Sequence, residues 1–164
     1  MPRKAEARTY KEEQIAKNAA YILHESRAKA AQILSTRIAG ELAQLDMPHV
    51  QFSCEFTEVA LCDNGIDSVA FYMSANIGEA LKPMNKVASG GELARIMLAM
   101  KNVLADSDKV ATLIFDEVDT GVSGRAAQRV AEKLRSVAAT RQVLCVTHLP
   151  QLAALAMTHL LISK

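Results

Sequence analysis

"TLIFDEVDTGVSGRAAQRVAEKL", residues Thr112 to Leu134, joins an unbroken apolar run to three carboxylates and then to apolar side chains at helical spacing. Such a run suits a parallel strand covered on both faces, and carboxylates at its end stand where open α/β sheets bind ligands. Ala127, Val130, Leu134 and Val137 predict the crossover helix that follows. "VLCVT", Val143 to Thr147, is a second buried run, and Glu92 to Leu104 reads as an amphipathic helix before the first. From Pro83 onward the order is therefore helix, buried strand, helix, buried strand, short helix and last strand. That pattern predicts a three-stranded α/β half-domain with long crossovers.

Upstream the texture differs. From about Tyr10 to Leu45 there is no proline and only Gly40 among the glycines, with Ile15, Ile22, Ile33, Leu34, Ile38, Leu42 and Leu45 at helical spacing. The charged first turns and many alanines suit the end of a coiled coil or a lobe-capping helix, and Pro48 predicts its stop. In "VQFSCEFT", Val50, Phe52, Cys54 and Phe56 alternate with polar residues, the period of a half-buried strand. "DSVAFYMS" predicts a second strand, and Asn64 with Gly65, both tolerant of positive φ, predicts the hairpin between them. The expected division is a helical segment over 1–46, an antiparallel hairpin over 47–84 and an α/β lobe over 85–164.

Composition narrows the class. The chain has 164 residues, 50% of them apolar, with 19 basic against 18 acidic side chains. One domain with a real core is expected, and near-neutral charge gives no electrostatic argument for nucleic acid. Cys54, Cys62 and Cys145 show no CxxC spacing, which speaks against zinc or a disulfide framework and suits reduced cytoplasmic thiols. No signal peptide or membrane span is read, so a soluble intracellular chain is expected.

Three stretches could carry chemistry. Ser89 and Glu92 form a capping box, which starts many helices with no function. Gly90 and Gly91 between them are unexplained by capping; small residues there let backbone N–H groups approach a phosphate at the positive helix end. Asp116 and Glu117 close the first strand with Asp119 just beyond, so one acid could hold Mg²⁺ while the other orients water, or they could merely begin a polar turn. His148 after the second strand is either a structural residue or a donor to a terminal phosphate. Glu92 to Asp116 spans 24 positions and Glu117 to His148 spans 31, each enough for one helical connection.

Together "SGGE", "LIFDE", "VDTG" and "VTH" resemble the C-terminal lobe of ABC-type ATPase heads, in the branch that includes the SMC proteins. "KVASGGELARIMLAMK", the opening stretch and "RQVLCVTHLPQLAALA" resemble more narrowly the RecN family of bacterial DNA repair proteins. The resemblance implies the C-terminal half of a P-loop NTPase head, with a coiled-coil-type helix and a small antiparallel piece before it. It implies that Ser89, Gly90, Gly91 and Glu92 form the signature motif facing a nucleotide on an opposite head. It further implies Asp116 as the Walker B magnesium residue, Glu117 as general base, Asp119 as a D-loop residue at the dimer seam and His148 as the switch histidine. Ala94 and Ala88 are small departures. The phosphate-gripping GxxxxGK[ST] occurs nowhere in the chain, and no GK dipeptide exists. ATP and Mg²⁺ are thus implied only together with an N-terminal lobe of the same head. A second head in a homodimer, DNA, and a bacterial cytoplasmic, nucleoid-associated location are likewise implied. The lone chain is expected to be nearly inactive as an ATPase and to leave sheet edge and apolar surface uncovered. Rival readings are a non-catalytic docking module for an ATP-loaded partner and a stand-alone Mg²⁺-dependent phosphohydrolase.

Overall fold

The computed structural model describes residues 2–86, 90–105 and 109–163, with side chains from residue 7 onward. Helix α1 covers Pro2–Gln44, a length of about 65 Å at 1.5 Å per residue. Its end is not made by Pro48. Asp46 adopts φ 65, the Met47 N–H donates to the Leu42 carbonyl at 2.9 Å and the Asp46 N–H to that of Ala43 at 3.3 Å. This is a Schellman closure with Asp46 in the left-handed position.

The chain then forms β1, Gln51–Cys62, and β2, Gly65–Ser74, an antiparallel pair running from Gln51↔Ser74 to Cys62↔Gly65. Of the two residues expected to use positive φ at the turn, only Gly65 does so, at φ 93, directly after Asp63 and Asn64. The register shifts between Glu58 and Cys62, which lets both strands run further than the alternation indicated. A short strand β3, Lys82–Pro83, adds to β2 and was not visible in the sequence pattern.

Charged groups fix α1 to this hairpin and to the lobe. The carboxylate of Asp67, almost fully buried, lies 2.6 Å from His24 Nδ1 and 3.4 Å from Arg27 NH1. Arg27 also donates to the Asn64 carbonyl at 2.8 Å, and the His24 ring meets the Phe56 ring edge-on. Nearer the helix end, Glu41 accepts from Asn102 at 2.7 Å and pairs with Lys133 at 2.7 Å.

The lobe contains α2, Gly90–Val103, β4, Thr112–Phe115, α3, Gly124–Ala138, β5, Gln142–Cys145, and α4, Pro150–Ala153. Strands β4 and β5 pair in parallel from Thr112↔Gln142 to Phe115↔Cys145. Pro150 takes the first turn of α4, where its missing N–H costs nothing. Ile38 and Leu42 of α1, with Leu45 just beyond its end, join Met73, Ile96, Leu98, Val118 and Val130 in one buried cluster spanning hairpin and lobe.

Two expectations are corrected here. Among the described residues there is no third strand in the lobe; 159–163 is irregular. A strand exists only where a neighbour supplies ladder bonds, and nothing described lies beside this segment. The apolar strands are also covered on one face only. Leu113 and Phe115 are buried, whereas Ile114 is 72%, Leu144 44% and Val146 54% exposed. An unbroken apolar run shows that both faces avoid water, not that this chain covers both.

Candidate functional site

Because β4 and β5 are parallel and in register, the segments leaving them rise on one rim. Asp116 and Glu117 leave β4; Val146, Thr147 and His148 leave β5. Asp116 is exposed, and its Oδ1 accepts the Glu117 N–H at 2.9 Å. That bond holds a sharp bend, for Glu117 has φ 58, a left-handed conformation that side chains other than glycine seldom adopt. The Thr120 N–H closes the turn onto the Glu117 carbonyl at 3.0 Å.

Asp119 points the other way. Its residue is 3% exposed, and its Oδ2 accepts from Thr147 Oγ1 at 2.5 Å and from the His148 N–H at 3.2 Å, with His148 Nδ1 at 3.4 Å. Thr147 Oγ1 also takes the Leu149 N–H at 3.1 Å. The backbone at His148 is therefore tied to the turn after β4, while its imidazole is 77% exposed at the rim. The Asp119 carboxylate is thus engaged within its own chain.

The helix start meets the same turn. A Cβ on Gly90 would overlap the Glu117 carboxylate, and one on Gly91 would stand 2.7 Å from the Thr120 carbonyl oxygen and 3.1 Å from that of Glu117. Backbone cannot retreat as a flexible side chain can, so Gly91 is required by contact within this chain as well as by any ligand. Glu92 lies in the first turn of α2, where a carboxylate suits the positive end of the helix. Ser89, and with it the capping-box reading, lies outside the described residues. Gly90, Gly91, Asp116 and His148 converge on the turn from Glu117 to Thr120 that holds Asp119.

Sequence reasoning passed over Thr147 and Arg95. Arg95 follows Gly91 by one helical turn on a face whose other members, Leu98 and Ala99, are buried, and a charge in an apolar stripe was the available signal. It is 7% exposed, and its NH1 donates to the Thr120 carbonyl at 2.7 Å.

Burial first, then the charges of Asp119 and Asp116, push the Cys145 thiol up to about 11. No group of three or more acidic, His or Cys side chains among the described residues could cage a metal. Mg²⁺ does not need such a cage, since it commonly uses one or two carboxylates with water and substrate phosphates. Exposed Asp116 fits that demand.

No family model matches the chain. Among solved structures, the Smc head domain with a coiled coil and joint from Pyrococcus yayanosii aligns with 95% of this chain and 30% of its own, at TM-score 0.59 and 19% identity. The Smc head domain from Pyrococcus furiosus, solved bound to the C-terminal domain of ScpA, aligns with 88% of this chain and 34% of its own, at TM-score 0.57 and 20% identity. The fold is thus that of part of an SMC ATPase head. Closer in sequence are the DNA repair proteins RecN of Halalkalibacterium halodurans, 50% identical over 84% of this chain, and of Bacillus subtilis, 48% identical over 82%. By sequence the chain is similar to these RecN proteins, and it spans about a quarter of their length, 25% and 26% in these two.

Proposed function

We propose that the chain is the C-terminal lobe of an SMC-like ATPase head of a RecN-type protein acting in DNA double-strand-break repair and recombination. The observation that carries the reading is the meeting of Gly90, Gly91, Asp116, Glu117, Asp119 and His148 on one rim at the ends of two parallel strands. On this reading Ser89, Gly90, Gly91 and Glu92 present helix-end N–H groups to the γ-phosphate of a nucleotide held on a second head. Asp116 would hold Mg²⁺, which supplies charge neutralisation to the phosphates when bound. Glu117, one residue further and turned by its left-handed backbone, orients the attacking water and accepts its proton. His148 offers an imidazole donor to the terminal phosphate, with its backbone fixed by Asp119. Asp119 contributes to a dimer seam through the turn it holds, because its carboxylate is already engaged.

The lone lobe lacks the means to grip substrate. Phosphoryl transfer is catalysed by positioning and electrostatic stabilisation, and the loop that cradles β- and γ-phosphates has no counterpart in this sequence. The bare outer face of β4 and β5 suits burial against an N-terminal lobe that carries this loop. The parent head would then act as a homodimer, with DNA reached through the rest of the protein, in the bacterial cytoplasm. Mixing the chain with that lobe is expected to restore Mg²⁺-dependent ATP hydrolysis, and Glu117→Gln to abolish the recovery while nucleotide binding persists. Full hydrolysis by the glutamine variant would remove Glu117 from the role.

A second reading rests on the same bare face, which favours docking whatever the chemistry. In it the lobe is a non-catalytic dimerisation module for an ATP-loaded partner. Hydrolysis that rises with the partner but ignores Glu117→Gln would select it.

A further inference from the structure

We infer that Arg95 is a positioning residue that locks the start of α2 to the turn carrying Glu117, Asp119 and Thr120, so that the two move as one body. The inference rests on the reading of this rim as an ATP site. Three observations carry it. Arg95 is a buried cation in an otherwise apolar stripe, and its guanidinium donates to the carbonyl of Thr120, 25 residues away, at 2.7 Å. Its Nε is buried with no partner among the described residues, so core packing would be better served by an apolar side chain. One turn earlier on the same helix, Gly91 admits the same Thr120 carbonyl to a distance that no side chain would permit.

The connection continues to the second strand. The turn that Arg95 holds closes through Thr120 N–H on the Glu117 carbonyl, and Asp119 beside it fixes Thr147 Oγ1 and the His148 N–H. A shift of α2 therefore reaches both Glu117 and His148 through hydrogen bonds and close packing alone. On the proposed function, α2 answers to a nucleotide on the opposite head, while Glu117 and His148 act on the nucleotide of their own head. Arg95 would thus make each head's chemistry depend on what its own signature helix grips.

The test reads the clamp separately from the chemistry. In the 164-residue chain, hydrogen exchange of the Thr120 and Val122 amides should quicken at least tenfold in Arg95→Met, with α1 and hairpin amides unchanged. Arg95→Lys, which keeps the charge and one donor, should fall between. Gly91→Ala, which pushes the Thr120 carbonyl away from the other side, should give the same local pattern. With the companion lobe added, Arg95→Met should lower kcat at least tenfold and leave KM for MgATP within twofold. Should Arg95→Met unfold the lobe, raising exchange everywhere, local quickening in Gly91→Ala and Arg95→Lys supports the clamp. Wild-type exchange at Thr120 and Val122 in those variants overturns it. If the wild-type pair hydrolyses nothing, the ATP reading fails and the exchange results still decide the clamp.

Discussion

Glu117 is held at φ 58, and a residue with a Cβ gives up roughly 1–2 kcal/mol there. Glu117→Gly should therefore stabilise the chain by about 1 kcal/mol, read as a higher urea midpoint at unchanged m-value, while removing the carboxylate proposed for hydrolysis. A lower midpoint would show that the carboxylate stabilises the turn more than its backbone strains it. Cys145 makes a pH prediction on the same rim. Its folded thiol is raised from 9.0 to about 11, so its stabilising share is complete below the unfolded value and vanishes as pH climbs between the two. Stability should fall over that window, and Cys145→Ala should flatten the fall. The residue types of this rim were legible in the sequence because strand ends advertise carboxylates. The inward turn of Asp119 was not, because it arises from hydrogen bonds to Thr147 and His148 on a segment far away in sequence, and the left-handed bend falls on a glutamate, a residue type that does not announce positive φ.

At the scale of elements, α1 shows how a correctly read end can carry a wrong cause. Its apolar spacing predicted a helix to Leu45, and the helix does run to Gln44, but Asp46 closes it rather than Pro48. Asp46→Gly should accordingly stabilise the chain by about 0.5–1 kcal/mol in a denaturant titration, since glycine takes the left-handed position freely. Pro48→Ala should leave helicity by circular dichroism unchanged. The Glu41 carboxylate, which meets Asn102 of α2 and Lys133 of α3, is a sharper case. Glu41→Ala takes the opposite charge from the half-buried Lys133 ammonium and leaves it with the neutral Gln44 Oε1 at 3.0 Å, and a loss of about 1–3 kcal/mol should appear in the same titration. The hairpin was readable from strict alternation. The last strand was misread because apolar character was mistaken for pairing, and pairing requires a neighbour.

In the molecule as a whole, the core joins α1, hairpin and lobe, while the outer face of β4 and β5 stays open to water. A charge placed on that face should cost the isolated fold little and cost association much. Ile114→Glu is expected to change thermal stability by less than about 0.5 kcal/mol, yet to abolish complex formation with an N-terminal lobe in analytical ultracentrifugation. Equal binding by wild type and variant would place the companion elsewhere. The long helix carries a different consequence. From Arg27, where Asp67 and Asn64 grasp it, some 25 residues extend to Pro2, roughly 38 Å of stiff rod. Tilting that rod by 10° about its collar sweeps the far tip through about 7 Å. A rearrangement around Glu41 too small to notice locally would be broadcast along the shaft as a displacement the width of a neighbouring strand.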